Sequence, residues 1–148
     1  LYGYGAAEKD KRFATAPGLS WKSRVMQVKK VPAGFAVGYY GSYKTAAPTE
    51  LATISCGYAD GYQRHLGNKG HVLIGGKRRH VVGSVSMNWI SADLGPDSGI
   101  QAGDEVVLIG EQAGESIWAD ELAKHCGTIA YEILTGISRQ IERRYLGE

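Results

Sequence analysis

His71-Val72-Leu73-Ile74-Gly75-Gly76-Lys77-Arg78-Arg79-His80-Val81-Val82 reads as two apolar runs folded back on each other across a pair of glycines. Branched apolar residues pack well on a pleated surface. Two glycines in succession supply the positive φ that a tight two-residue hairpin turn demands. Working outward, Trp21, Ser23 and Val25 alternate with Lys22 and Arg24. That run continues to Lys30-Val31 and stops at Pro32-Ala33-Gly34. Further strand-like segments cover Phe35 to Tyr40, Leu51 to Tyr58, Val85 to Leu94 and Glu105 to Ile109. About seven strands at short spacing predict a small barrel or sandwich. The 21 glycines and nine tyrosines agree with a mainly β chain rich in tight turns.

The last third changes period. Ser116 is read as an N-cap ahead of Asp120-Glu121, with Ile117, Leu122 and Ala123 on one face and Gly127 as the stop. Thr128 then caps a second short helix carrying Ile129, Ile133 and Leu134, and Ser138 to Leu146 reads equally as strand or helical tail. The first 20 residues are rich in Gly and Ala and end in Ala16-Pro17-Gly18. They read as a connecting segment, residues 1–20, leading into one domain at 21–148. The chain opens Leu1-Tyr2-Gly3 without an initiating Met, so an excised domain is expected.

A chain of 148 residues is long enough to bury its own core. At 43% hydrophobic and 22% charged residues it is globular in composition rather than disordered. A net charge of +2 excludes a nucleic-acid arm or a polybasic membrane anchor, and no apolar run approaches the roughly 20 residues of a membrane-spanning helix. Cys56 and Cys126 stand far apart without CxxC spacing, which fits two separate buried thiols in a reducing cytoplasm better than the alternative, a structural disulfide. His65, His71, His80 and His125 form neither HxH nor HExxH, so no metal site is expected.

Motif chemistry is otherwise sparse. No GxSxG, GxGxxG or GK[ST] occurs, which argues against a serine hydrolase or a phosphate-binding loop. Three tyrosine-bearing segments remain as candidates. Gly38-Tyr39-Tyr40-Gly41-Ser42-Tyr43 sets phenols among glycines that admit a close neighbour. Cys56-Gly57-Tyr58-Ala59-Asp60-Gly61-Tyr62-Gln63-Arg64 places Asp60 and Arg64 within reach of each other in a loop. Gly127-Thr128-Ile129-Ala130-Tyr131-Glu132 puts Tyr131 near a helix start. On residue chemistry alone each tyrosine reads more readily as an ordinary strand or interface residue.

Taken together and in order, these segments resemble alanine racemases. The resemblance rests on Trp21-Lys22-Ser23-Arg24-Val25, Val31-Pro32-Ala33-Gly34, Gly38-Tyr39, Gly57-Tyr58-Ala59-Asp60-Gly61-Tyr62-Gln63-Arg64, Val82-Gly83-Ser84-Val85-Ser86-Met87, Gly103-Asp104-Glu105-Val106-Val107-Leu108-Ile109-Gly110 and Gly127-Thr128-Ile129-Ala130-Tyr131-Glu132-Ile133. It runs the length of the chain and covers only the family's C-terminal domain. The implied fold is mainly β, a small Greek-key-like barrel with one or two short α-helices near the C-terminus. The implied parent is a cytoplasmic homodimer that depends on pyridoxal 5'-phosphate (PLP). It interconverts L- and D-alanine, a precursor of cell-wall peptidoglycan. An N-terminal (β/α)8 barrel of the same chain would bind most of the PLP and carry the lysine joined to it. None of Lys22, Lys29, Lys30, Lys44, Lys69, Lys77 or Lys124 matches the context of that lysine, so this chain alone is expected to be inactive.

The resemblance also implies roles. Tyr39 corresponds to the tyrosine that serves as base on one face of the substrate, and a one-residue shift would place that base on Tyr40, where the family usually has Gly. A free phenol ionises near pH 10, so its site must lower that value or relay the proton through a neighbour. Met87 and Tyr58 are implied in binding the small amino-acid substrate, Tyr131 in contacting the PLP phosphate, and Arg64 and Asn88 in the entry channel. Asn88 stands where Asp is usual and Ser84 where Arg is common; together they leave local charge unchanged or alter the amino acid preferred. The competing expectation is a stand-alone, non-catalytic β-barrel interaction module built on the same scaffold.

Overall fold

The computed structural model describes residues 17–146. Among them lie nine strands and two α-helices: β1 Trp21–Val31, β2 Ala36–Val37, β3 Tyr43–Lys44, β4 Thr49–Ile54, β5 His71–Ile74, β6 Lys77–Val82, β7 Ile90–Gly95, β8 Glu105–Gln112, β9 Glu115–Ile117, α1 Ala119–Cys126 and α2 Ala130–Gly136. Residues 1–16 of the expected connecting segment lie outside the described residues.

The hairpin forms as its sequence requires. β5 and β6 pair antiparallel from His71↔His80 to Ile74↔Lys77, and Gly75 and Gly76 turn between them at φ 61° and 71°. A residue bearing Cβ is costly in two successive left-handed positions, which is why glycine occupies both. β5, β6 and β7 form a meander, and the connection after β7 brings β8 back beside β5. The spatial order β8-β5-β6-β7 is a Greek key. Closure falls to β1, whose first residues pair with β8 (Ser23↔Val106) while the rest pair with β4 (Val28↔Ala52). Register shifts at Trp21/Lys22 and Val25/Gln27 bend β1 enough to serve two neighbours. The ring β1-β4-β7-β6-β5-β8 thereby joins end to end.

Apolar side chains fill its interior, and on β5 and β8 successive residues are buried, so both faces of those strands are covered. Ile54, Val72, Leu73, Ile74, Ala92, Val106, Val107, Leu108 and Ile109 are fully buried. The cluster extends through Leu122, Ile133 and Ile137 to the two helices packed outside the ring. Burial of each such side chain contributes about 1.5–3 kcal/mol. A second, smaller cluster of Val31, Val37, Leu51 and Val82, flanked by Phe35 and Tyr43, seats the β2–β3 ribbon on the barrel. Both cysteines are free, and burial pushes the Cys56 thiol well above its usual range.

Several boundaries differ from expectation. The segments read as strands over Phe35 to Tyr40 and Val85 to Leu94 are strand only at Ala36–Val37 and Ile90–Gly95. Ser116 does not cap α1. It lies in β9, drawn there by the pairing Gly110↔Ile117, and Trp118 takes the cap position without a side-chain bond. Gly127 ends α1 in the left-handed conformation, as read. Ile129 rather than Thr128 precedes α2, and Thr128 Oγ1 bonds the Glu132 carboxylate. Residues 138–146 form neither strand nor helix.

Glu50 is a polar residue inside the fold, 8% exposed on β4. Its Oε2 accepts from Ser98 N at 2.9 Å and from Ser98 Oγ at 2.5 Å, and Lys30 Nζ stands 3.5 Å from Oε1. These bonds, led by the Ser98 hydroxyl, hold the carboxyl below its ordinary value of 4.5. A carboxyl lowered on folding contributes stability that is complete above the unfolded value and vanishes as pH falls through the folded one. We therefore expect Glu50→Gln to melt below wild type at pH 7, with the gap narrowing as the pH drops below 4. Thermal midpoints across that range check this, and a gap constant with pH would refute it.

Candidate functional site

Three loops meet at one end of the barrel. The first, residues 38–42, joins β2 to β3 and carries Tyr39 in a single 3-10 turn. The second leaves β4 and carries Tyr58 in another 3-10 turn, Tyr58–Asp60. The third, residues 83–89, enters β7 and carries Met87 and Asn88.

Backbone contacts lock the second loop to the third. Tyr58 N donates to Ser86 O at 3.0 Å, and Ala59 N to Met87 O at 2.9 Å. A Cβ at Gly57 would stand 2.3 Å from Met87 O, so the approach requires glycine there. Asp60 does not reach for Arg64 as its loop position suggested. Its Oδ2 accepts from Gly57 N at 2.9 Å and closes the Tyr58 turn on itself. The first loop is tied to the third by Ser42 Oγ and Ser84 Oγ, 3.0 Å apart. Asn68 spans both, donating to Ser42 O at 3.2 Å and accepting from Gly83 N at 2.6 Å. Ser84, noted as a departure from the family pattern, thus fastens the Tyr39 loop.

The side chains on these loops face outward. Tyr39 is 63% exposed, Tyr58 47% and Met87 57%, although each is large and largely apolar. Asn88 and Arg64 are exposed as well. Arg64 lines a cavity of about 350 Å³ with Asn68 and with Gly83 and Ser84 of the third loop. Trp89, 44% exposed and next to Asn88, belongs to the same surface and was not singled out from sequence. Its one signal was a large aromatic directly after Met87-Asn88 in a loop of small residues.

Tyr131 stands apart from this group, in the first turn of α2. The far end of α2 abuts the Tyr58 loop, where Ser138 N donates to Asp60 O at 3.0 Å. Tyr131 is set about 8 Å along the helix axis from that end. Tyr43, the second tyrosine of the cluster, is an anchor. Its hydroxyl donates to Asp93 Oδ2 at 3.4 Å, and burial, with Asp93 beside it, raises its ionisation above the usual phenol range.

The three loops supply no covalent anchor for PLP. No lysine falls within residues 38–43, 57–61 or 83–89. Lys22 pairs with Glu105 at 3.0 Å, Lys30 with Glu50 and Asp97, and Lys29 lies over the Phe35 ring.

Tyr40 sits at φ 60°, ψ 17°, with its side chain wholly in solvent. A left-handed residue with a Cβ costs about 1–2 kcal/mol, which gives the position a physical reason to favour Gly. Tyr40→Gly is expected to raise stability by up to about 1 kcal/mol, after the extra chain entropy of Gly is subtracted. Denaturant melts test this, and a clear loss of stability would show that the Tyr40 ring has a packing role.

With this geometry in place, relatedness can be read. The family model described as alanine racemase, C-terminal domain, matches residues 18–145. An alanine racemase of Cutibacterium acnes is 45% identical over 147 residues, covering 99% of this chain and 39% of the relative. One from Symbiobacterium thermophilum is 50% identical over 133 residues, covering 90% and 35%. Among solved structures, alanine racemase from Streptomyces lavendulae superposes with a TM-score of 0.91 at 37% identity, covering 99% of this chain and 39% of that one. Alanine racemase from Bartonella henselae with covalently bound pyridoxal phosphate gives 0.87 at 35%, covering 98% and 39%. The chain spans under two fifths of the length of these relatives. Sequence and fold agree, and the chain belongs to the family of alanine racemase C-terminal domains.

Proposed function

We propose that this domain works within a PLP-dependent alanine racemase and supplies Tyr39 as the base on one face of the substrate Cα. The supporting observation is the joining of the Tyr58 and Met87 loops by backbone hydrogen bonds and of the Tyr39 loop to them through the Ser42, Ser84 and Asn68 side chains, with Tyr39, Tyr58 and Met87 all held outward. Large side chains exposed on rigidly fastened loops suit a site completed by another surface. In this reading that surface is the barrel of a partner subunit in a homodimer, and Tyr131 contributes to the site of its own subunit through its phenol and the PLP phosphate. Retention of Tyr39, Tyr58, Met87 and Tyr131 together supports an enzyme over a stand-alone binding module, which has no need of that set.

PLP, when bound, draws away the electron pair left as the Cα–H bond breaks and so acidifies that bond. The phenol oxygen of Tyr39 takes or returns the proton on its face, and the barrel lysine serves the opposite face. Tyr58 and the backbone at Met87 position the small amino acid, while Arg64 and Asn88 line its approach. Alanine is the substrate favoured by kinship, and Asn88 with Ser84 marks where preference for a related amino acid would be written. Between the two adjacent phenols, Tyr39 is the better held: Tyr40 stands wholly in solvent.

Tyr39→Phe in the full-length protein is expected to lower racemisation by about 10²–10⁴-fold while the PLP absorbance persists. Tyr40→Phe is expected to change little. An unaltered Tyr39→Phe rate with a lost Tyr40→Phe rate would move the base by one residue, and two unaltered rates would refute the mechanism. The 148-residue chain alone, mixed with PLP and borohydride, is expected to yield no stoichiometric adduct on a single lysine. Mass spectrometry reads this outcome, and such an adduct would refute the assignment of the anchor to another domain.

A further inference from the structure

Away from the three loops, β5 and α1 bring together a histidine pair and a carboxylate. Glu121 and His125 lie four residues apart on α1 and so share one face of the helix. His71 opens β5. One donor atom from each of the three lies within 4.8 Å of the other two, and all three side chains are partly buried. His71 Nδ1 is a buried ring nitrogen with no hydrogen-bond partner among the described residues. Such a group is uncommon inside a folded protein and calls for an explanation. Its ring is flanked by His80, with centroids 5.3 Å apart, which limits its orientation.

We propose that His71, Glu121 and His125 form a binding site for a divalent transition-metal ion, with zinc the best match. Two imidazoles and one carboxylate make a donor set suited to zinc, and they leave a fourth position for water. The imidazoles disfavour magnesium and calcium, which take oxygen ligands. Bonds of about 2.0–2.2 Å in tetrahedral geometry set neighbouring donors roughly 3.4 Å apart, so the side chains close by about 1.5 Å at most. Arg78 forms an ion pair with Glu121 Oε1 and donates to Ser116 O at 2.7 Å. A carboxylate accepts on both oxygens, so Arg78 on Oε1 leaves Oε2 for the ion and orients it. The positive charge of Arg78 opposes the ion, which sets a moderate rather than extreme affinity. The metal would clip α1 to the barrel, and this inference does not depend on the racemase reading.

The test uses the full-length protein, stripped with a chelator and titrated with Co²⁺ as a coloured probe for zinc. Wild type is expected to take up one Co²⁺ at this site, with visible absorption bands that Zn²⁺ abolishes and a melting temperature that rises with Zn²⁺. His71→Gln and His125→Gln should each weaken uptake by roughly a hundredfold, while His65→Gln leaves it unchanged. Glu121→Gln keeps the side-chain size and replaces either histidine variant that loses its circular-dichroism signal. Absence of the Co²⁺ bands in wild type, or bands that survive in the folded variants, would overturn the proposal.

Discussion

The contact between Gly57–Ala59 and the carbonyls of Ser86 and Met87 is the constraint from which the rest of the site follows. Two amides leave the Tyr58 turn and end on neighbouring carbonyls of another loop, at 3.0 and 2.9 Å. Only a residue without Cβ permits that approach at Gly57. With these bonds made, Tyr58 and Met87 are held side by side on adjoining backbones. The Ser42–Ser84 hydrogen bond then brings Tyr39 to the same surface. Side chains on loops are precise only when the loops are themselves bonded, and here backbone bonds join the Tyr58 and Met87 loops while Ser42, Ser84 and Asn68 side chains add the Tyr39 loop.

The barrel serves this arrangement by setting where the loops begin. β1 bends to pair with both β4 and β8 and so closes the ring. Closure gives every strand of the ring two neighbours and leaves no open edge among them. The small apolar cluster around Val37 and Val82 performs the same task locally, fixing the short β2–β3 ribbon that carries Tyr39. Core burial is thus converted into loop position. The departures from the family pattern acquire physical meaning on this surface. Ser84 supplies a tether to the Tyr39 loop. Tyr40 occupies a left-handed position that glycine would fill without strain.

Much of this was legible in the chain. The glycine pair at 75–76 announced the hairpin because backbone sterics are local, and Gly127 announced a helix end for the same reason. Ser116 misled because its signal for a helix cap lost to another local one, the hairpin that pairs it with Glu111 across the left-handed turn at Ala113 and Gly114. The stretch Val85 to Leu94 read as a continuous strand because apolar residues recur through it at alternate positions, yet residues 85–89 form a loop. Asp60 was paired in sequence with Arg64 by proximity alone, whereas the turn it closes is three residues upstream.

The sequence by itself determined the class of fold, the strand-forming segments and the order of the tyrosine-bearing motifs, because φ restrictions and alternating burial are encoded over a few residues. Tertiary structure alone decided which loops touch. Positions 58 and 87, or 42 and 84, are separated by about thirty to forty residues, and no periodicity links them. It likewise alone brought His71 on a strand to Glu121 and His125 on a helix, a grouping with no spacing signature. Contacts of that kind depend on closing a ring of strands, a property of the whole chain and not of any segment within it.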